Sequence, residues 1–312
     1  MKNWVVDYFH KLSWKKLLSL MLVLATAVFF VRYFISNWQQ VVDSGLKIKY
    51  SLLALSVLAV PPVIISALLW RQILLRLSPR SIDKFTAIRI HIYSWLLKYM
   101  PGKAGTVGGK YYLSTKQGID KKAILLSTLY EYIFLILSSL LIGIVTIIVS
   151  PHLQFSVFTS MPLILLVIGI LIFLFIPELF YHCINRVTKL FLKQDVKFNT
   201  RLMTKDLLKF LGLYLLPRFF DAFIFALVLL SYQKFELSTF IYLAGSYVIA
   251  IILGFMSIVA PSGFGVREGF AIYFAKQVVP LEIAIFATIF TRVIITIADI
   301  WLLLINLKLS KK

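Results

Sequence analysis

The chain has 312 residues, 60% of them hydrophobic, and a mean hydropathy of +0.91. That is too apolar for a water-soluble globular enzyme, and no polar stretch is long enough to form a separate soluble catalytic domain. The formal net charge is +20, from 33 Lys and Arg against 13 Asp and Glu; it does not signal nucleic acid, because the charges lie between hydrophobic runs, where they set topology and meet anionic lipid headgroups.

The first apolar run is Leu17 to Ile35. Lys2, Lys11, Lys15 and Lys16 precede it and Ala25-Thr26-Ala27 offers small residues, as in a signal peptide. Apolar sequence continues through Val28 to Val31, however, which predicts an uncleaved first helix. Ser51 to Trp70 is the second predicted span. Phe85 to Leu113 is only moderately apolar and carries Arg89, Lys98, Lys103 and Lys110. Ala123 to Val149 and Ser156 to Ile176 are the third and fourth spans, with a turn at Pro151-His152. Leu207 to Leu230 and Leu281 to Leu307 are the fifth and sixth. Each of these six runs approaches or exceeds the ~20 residues needed to cross the hydrocarbon.

Thr239 to Val279 is different. The thirty residues from Leu237 to Val266 carry no formal charge. The run then breaks at Pro261-Ser262-Gly263-Phe264-Gly265-Val266-Arg267-Glu268-Gly269, and apolar sequence resumes at Phe270. Broken backbone and charge at membrane depth mark places where membrane proteins work.

Loop charges orient the spans. The N-terminus carries four lysines against Asp7, residues 71–122 carry eleven basic residues against two acidic, and residues 178–209 seven against three. These regions are expected in the cytoplasm, and Lys308, Lys311 and Lys312 favour the same side. A single crossing by Thr239 to Ala260 would leave the C-terminus outside. A hairpin that enters from outside and turns back restores it to the inside, since the ten residues Phe270 to Val279 are too few for a second crossing.

An offset of 160 residues lays Pro101-Gly102-Lys103-Ala104-Gly105-Thr106-Val107-Gly108-Gly109 on the Pro261 to Gly269 motif, in a shared P-x3-G-x3-G spacing. The same offset lays the second span on the fifth and the third on the sixth, with opposite predicted orientation, which is the pattern of an inverted repeat. Coincidence among Gly-rich turns is the competing account. The expected fold is an all-α polytopic membrane protein of one integral membrane domain, 1–312. It has about six full spans and two re-entrant helical hairpins, with repeat halves near 51–149 and 207–307.

Ionisable residues at membrane depth are the candidate site. They are Arg267-Glu268 in the motif, Arg218 and Asp221 one turn apart beside Pro217, Arg292 and Asp299 seven residues apart, Glu131, and the basic hairpin of Lys98, Lys103 and Lys110. Each costs ~2.5–3.5 kcal/mol to place in lipid unless paired or hydrated. Arg218, Arg267 and Arg292 are therefore expected to converge with Glu131, Asp221, Glu268 and Asp299 on an internal polar cavity. Salt bridges that only hold the bundle together are the alternative, with Arg218–Asp221 and Arg292–Asp299 pairing locally.

Pro101, Gly102, Gly105 and Gly109, with Pro261, Gly263, Gly265 and Gly269, are expected to shape the hairpin backbones through positive φ and close approach. A helix starting after such a break presents free N–H groups to a phosphate or carboxylate; simple chain reversal is the plainer reading. The one cysteine, Cys183, allows no intrachain disulfide, and His10, His91, His152 and His182 form no metal-ligand spacing. Glu178 and His182 share a helix face as a surface pair. No cofactor is expected, and without a phosphate-binding loop motif neither is direct ATP use.

The segments Lys98 to Gly105 and Pro261 to Gly269 resemble the two signature segments of the lysylphosphatidylglycerol synthase transmembrane-region family, the flippase-like membrane part of bacterial multiple-peptide-resistance proteins. The resemblance spans nearly the whole chain. Ser262 stands where the family usually has Gly, and Phe264 where it has Leu. The resemblance implies a multi-pass protein of the bacterial cytoplasmic membrane, with N- and C-termini inside, that moves a phospholipid or lipid-linked envelope precursor between leaflets. With no soluble aminoacyl-transfer domain in the sequence, translocation rather than lipid aminoacylation is expected, so not an enzyme. Anionic or phosphate-bearing membrane lipids are the expected partners, with a homo-oligomer or envelope-synthesis enzymes as further ones. A membrane transferase for lipid-linked sugars, using Glu131, Asp299 or Glu268 as general base, and a scaffold for envelope synthesis are the alternatives.

Overall fold

The computed structural model of the protein describes residues 46–47, 49–80, 82–99, 104–149, 169, 186, 202–234, 236–256, 263 and 265–310. Among the described residues every regular element is helical. A 3-10 turn, Tyr50–Ala54, leads into the short helix α1, Leu55–Leu58, and then α2, Pro61–Leu77. The break between them follows from Pro61 and Pro62, which lack the N–H groups that would bond the preceding turn but fit the first turn of a new helix. Next come α3, Lys84–Leu96, a 3-10 turn at Leu97–Tyr99, α4, Ala104–Lys116, and α5, Lys121–Val149. The second series is α6, Thr204–Leu230, α7, Leu237–Met256, α8, Val266–Ala275, and α9, Leu281–Ser310.

Five helical segments among the described residues are long and apolar enough to cross a membrane: Tyr50–Leu77, Lys121–Thr146, Thr204–Leu230, Leu237–Phe255 and Leu281–Ser310. Four coincide with predicted spans. The fifth, Leu237–Phe255, lies in the first arm of the hairpin expected over Thr239 to Val279. That first arm is a 19-residue helical segment long and apolar enough to cross, whereas α8 has ten residues, about 15 Å of helix. Helices α3 and α4 have 13 residues each, about 20 Å, well short of a hydrocarbon core of about 30 Å. The predicted spans Leu17 to Ile35 and, apart from Gly169, Ser156 to Ile176 lie outside the described residues, as do Pro101, Gly102, Lys103 and Pro261.

Contacts at the helix ends fix the chain directions. Arg76 at the end of α2 lies 3.1 Å from Asp206 at the start of α6. At the opposite ends, Tyr232 donates to the Lys47 carbonyl at 3.0 Å and accepts from the Lys49 N–H at 3.2 Å. The Tyr50–Leu77 segment and α6 are thus antiparallel. Arg80 donates to the Gly118 carbonyl at 3.4 Å, which closes the open end of the α3–α4 hairpin at the Arg76 face. Tyr242 donates to the Phe274 carbonyl at 3.0 Å, which closes the α7–α8 hairpin at the Tyr232 face. The two hairpins therefore open toward opposite faces. Helix α9 begins beside Tyr232, whose ring lies 5.2 Å from that of Phe286, and its far end packs Leu302 and Ile305 with Ile92 and Ile88 of α3.

The packing pattern recurs. Helix α3 packs on α2 and α4, and α5 on α2 and α4; in the second series α7 packs on α6 and α8, and α9 on α6 and α8. Between the series, α5 meets α7 and α9 meets α3. Among the described residues two large apolar clusters fill the interior, one around Trp70, Tyr130, Phe134 and Tyr214, the other around Phe225, Tyr247, Phe286 and Phe290, with a smaller third around Val63, Ile92 and Leu302. Leu216, Phe219 and Phe223 on α6, with Ile300, Leu303 and Leu307 on α9, are exposed, as suits helices that meet lipid.

Candidate functional site

The tips of the two hairpins meet at one cavity of about 200 Å³. Trp95, Lys98 and Thr106 line it from the first hairpin, and Phe255, Gly263 and Arg267 from the second. Helix α5 adds Glu131 and Tyr132, α6 adds Arg218 and Asp221, and α9 adds Arg292 and Asp299.

The second tip is built by glycine. Gly263 has φ +69° and Gly265 φ +85°, the left-handed region that side chains disfavour. A Cβ on Gly263 would come within 2.8 Å of the Gly254 backbone. Gly254 in turn leaves room for Arg267, whose Cβ would be 2.7 Å from a Cβ placed there. Gly265 is the N-cap of α8, and its N–H donates to Glu268 Oε2 at 2.7 Å. A carboxylate three residues into a helix that reaches back to the cap satisfies an N–H the helix cannot. At the first tip the reason differs from the expectation. Gly109 is an ordinary helical residue of α4, and a Cβ there would meet Leu97 Cδ1 at 2.9 Å and Ser94 Oγ at 3.0 Å, so close approach to α3 is what requires it. Gly105 is buried at the start of α4. Gly269 corrects the reading: nothing lies within 4 Å of a Cβ there, so the backbone does not need glycine.

Among the described residues, four groups of charge surround the cavity. Glu268, 2% exposed, accepts at Oε1 from both Arg267 Nε, at 3.2 Å, and Arg292 Nε, and the second of these bonds joins α8 to α9. The Arg267 guanidinium also lies 5.8 Å from the centre of the Tyr247 ring. Arg218 pairs with Asp221 at 3.0 Å. Lys98 bonds both oxygens of Asp299, at 2.7 and 2.9 Å, and sits 4.3 Å over the Trp95 ring, while Trp95 Nε1 donates to Asp299 at 3.0 Å. Lys110 bonds Glu131, with His91 Nδ1 3.6 Å from the other carboxylate oxygen. Trp70 lies beneath Lys110, 4.7 Å away, and is fixed by its own bond to Ser127 at 3.1 Å.

All the described ionisable residues singled out in the sequence thus lie at or next to this cavity; Glu268 joins it through its two arginines, and Lys103 lies outside the described residues. Arg218 and Asp221 pair as their spacing suggested. Arg292 and Asp299 do not pair with each other: Arg292 turns to α8, and Asp299 receives the first hairpin. Helix α6 continues through Pro217. The sequence reading missed His91, Trp95, Thr106 and Tyr247 as site residues. One signal was available, since His91, Trp95 and Lys98 fall on one helical stripe, four and three residues apart. Tyr132 donates to Thr106 at 3.0 Å and links α5 to the first tip.

Among the described residues no group of three or more His, Cys, Asp or Glu could hold a metal ion. No curated protein and no solved structure matches the chain. A family model described as Lysylphosphatidylglycerol synthase TM region matches residues 16–302, nearly the whole chain, and the protein is a member of that family.

Proposed function

We propose that the protein is a lipid translocase of the bacterial cytoplasmic membrane, which passes a phosphate-bearing headgroup through the central cavity while the tails stay in the bilayer. The observation that carries this reading is the placement of that cavity at the tips of two hairpins that open toward opposite faces. A polar headgroup cannot cross hydrocarbon without replacing its water, and a charged cavity at the tips supplies the replacement. The short arms α3, α4 and α8 are read as re-entrant, and the recurring antiparallel packing as an inverted repeat. Such a repeat suits alternating access, because one half can adopt the conformation of the other around a fixed site. The face that carries Arg76 and Arg80 is read as cytoplasmic.

The test is headgroup flipping in proteoliposomes across a panel of tail-labelled lipids. Native protein is expected to flip at least one phosphate-bearing lipid. Arg267→Ala is expected to slow it about ten- to a hundredfold, the scale of one charge-assisted hydrogen bond. Native protein inert toward every lipid of the panel would overturn the reading.

A further inference from the structure

We infer that the cavity selects an anionic phosphate headgroup and rejects one that carries an ammonium, such as an aminoacylated phospholipid; this rests on the translocase reading for its transport consequence, but not for binding. The carboxylates are already engaged. Asp299 has Lys98 on both oxygens and Trp95 on one. Glu131 has Lys110, Asp221 has Arg218, and Glu268 has Arg267, Arg292 and the Gly265 N–H. A cation entering the cavity meets a fixed cation at every one of them. To bind, it would have to displace a lysine or arginine and leave that charge buried without a partner.

The donors are in surplus. Among the described residues, five basic side chains line the cavity against three acidic ones, and counting Glu268 still leaves one formal positive charge. Two guanidinium nitrogens, Arg267 Nη2 and Arg218 Nε, are buried with no hydrogen-bond partner among the described residues. Buried polar nitrogens without partners are rare and mark a missing acceptor. Both arginines line the same cavity, and a planar guanidinium fork matches the oxygens of a phosphate, so an anion of that shape supplies the kind of acceptor each lacks.

The seat is also one-sided. Arg218, Arg267 and Arg292 all belong to the second series of helices. At the offset of 160 residues the first series has Leu58, Val107 and Tyr132 in their places. The two lysines it contributes to the lining, Lys98 and Lys110, are each locked to a carboxylate. The phosphate is therefore held against α6, α8 and α9, and the remainder of the headgroup faces Tyr132 and Thr106.

The test is direct binding to the full-length protein in detergent, so that it does not depend on flipping. The probes are dihexanoyl phosphatidylglycerol, dihexanoyl lysylphosphatidylglycerol, dihexanoyl phosphatidylethanolamine, glycerol phosphate and inorganic phosphate. Phosphatidylglycerol is expected to bind at least tenfold more tightly than either amine-bearing lipid. Arg267→Gln and Arg218→Gln are each expected to weaken it about tenfold and to narrow that ratio. Arg267→Lys, which keeps the charge and loses the fork, is expected to fall between, and a thermal melt identifies any variant that fails to fold. Equal or tighter binding of lysylphosphatidylglycerol overturns the inference, as does failure of every anion to bind. Inorganic phosphate binding as tightly as the lipid would uphold the anion seat and overturn the translocase reading. Tight binding of phosphatidylglycerol without flipping would do the same.

Discussion

Glu268 gathers more of the site than any neighbour. It is 2% exposed and receives an N–H from Gly265 and a guanidinium from each of Arg267 and Arg292. Removing it strands two buried cations and an N-cap, and breaking a buried ion pair from one side costs about 3–5 kcal/mol. Glu268→Ala is expected to lower the thermal midpoint of the purified protein well below that of Asp221→Ala, whose carboxylate is 22% exposed and pairs within one turn of its own helix. A smaller drop for Glu268 would contradict the geometry. The adjacency of Arg267 and Glu268 was legible in the sequence, and so was the Arg218–Asp221 turn, because both are local. The partners of Arg292 and Asp299 were not, since they depend on how α9 docks between α8 and α3. Spacing along α9 says only that the two side chains share a face.

Within the elements, glycine and capping residues separate positions that must be what they are from positions that need not. Gly263 and Gly269 belong to one motif, yet only Gly263 combines a positive φ with a backbone 2.8 Å from its would-be Cβ. Gly263→Ala is expected to destabilise α8 and slow flipping. Gly269→Ala, inside α8 with open space around it, is expected to be neutral or to stabilise by up to about 1 kcal/mol. Thermal melts of the two variants side by side decide this. Helix α3 begins at Asp83, outside the spans, whose carboxylate accepts from the Phe85 and Thr86 N–H groups at 2.8 and 3.0 Å and from the Thr86 hydroxyl. The Thr86 hydroxyl bond, then the backbone bonds, hold the carboxyl below its ordinary value of 3.8. A lowered carboxylate stabilises the fold while ionised, above that ordinary value, and the contribution is lost as pH falls through the folded value. Asp83→Ala is expected to cost about 1 kcal/mol at neutral pH and to abolish this acid dependence, read by amide exchange over residues 84–88. Helix lengths were mostly legible because apolar runs declare themselves. For helix α7 the uncharged run gave the length, but whether that length crosses or turns back was left to the charges of the C-terminus, which fix a side and not a path.

For the whole molecule, the end contacts make a prediction about sides. In a Cys183→Ser background, Gln117→Cys and Lys308→Cys are expected to react with a membrane-impermeant thiol reagent from one face, and Lys234→Cys from the other. Lys308 reacting with Lys234's face would overturn the course of α9. The repeat offset was visible in three turn residues, and the helices show a further coincidence that no single motif displayed: Lys121 and Leu281, 160 apart, each begin the last long helix of a series. That the intramembrane charges converge on one cavity was legible from their cost in lipid; the contacts that bring the parts together, α5 with α7 and α9 with α3, were not, because they join residues far apart in the chain.

The link from Gly265 to Glu268 makes the start of α8 and the charge of the cavity one equilibrium. An anion that draws Arg267 away leaves Glu268 with fewer cations and strengthens its hold on the Gly265 N–H. By reciprocity, whatever frays the first turn of α8 must alter affinity for the anion by the same factor. The Gly265 amide is therefore expected to exchange more slowly with solvent when the proposed anion seat is filled.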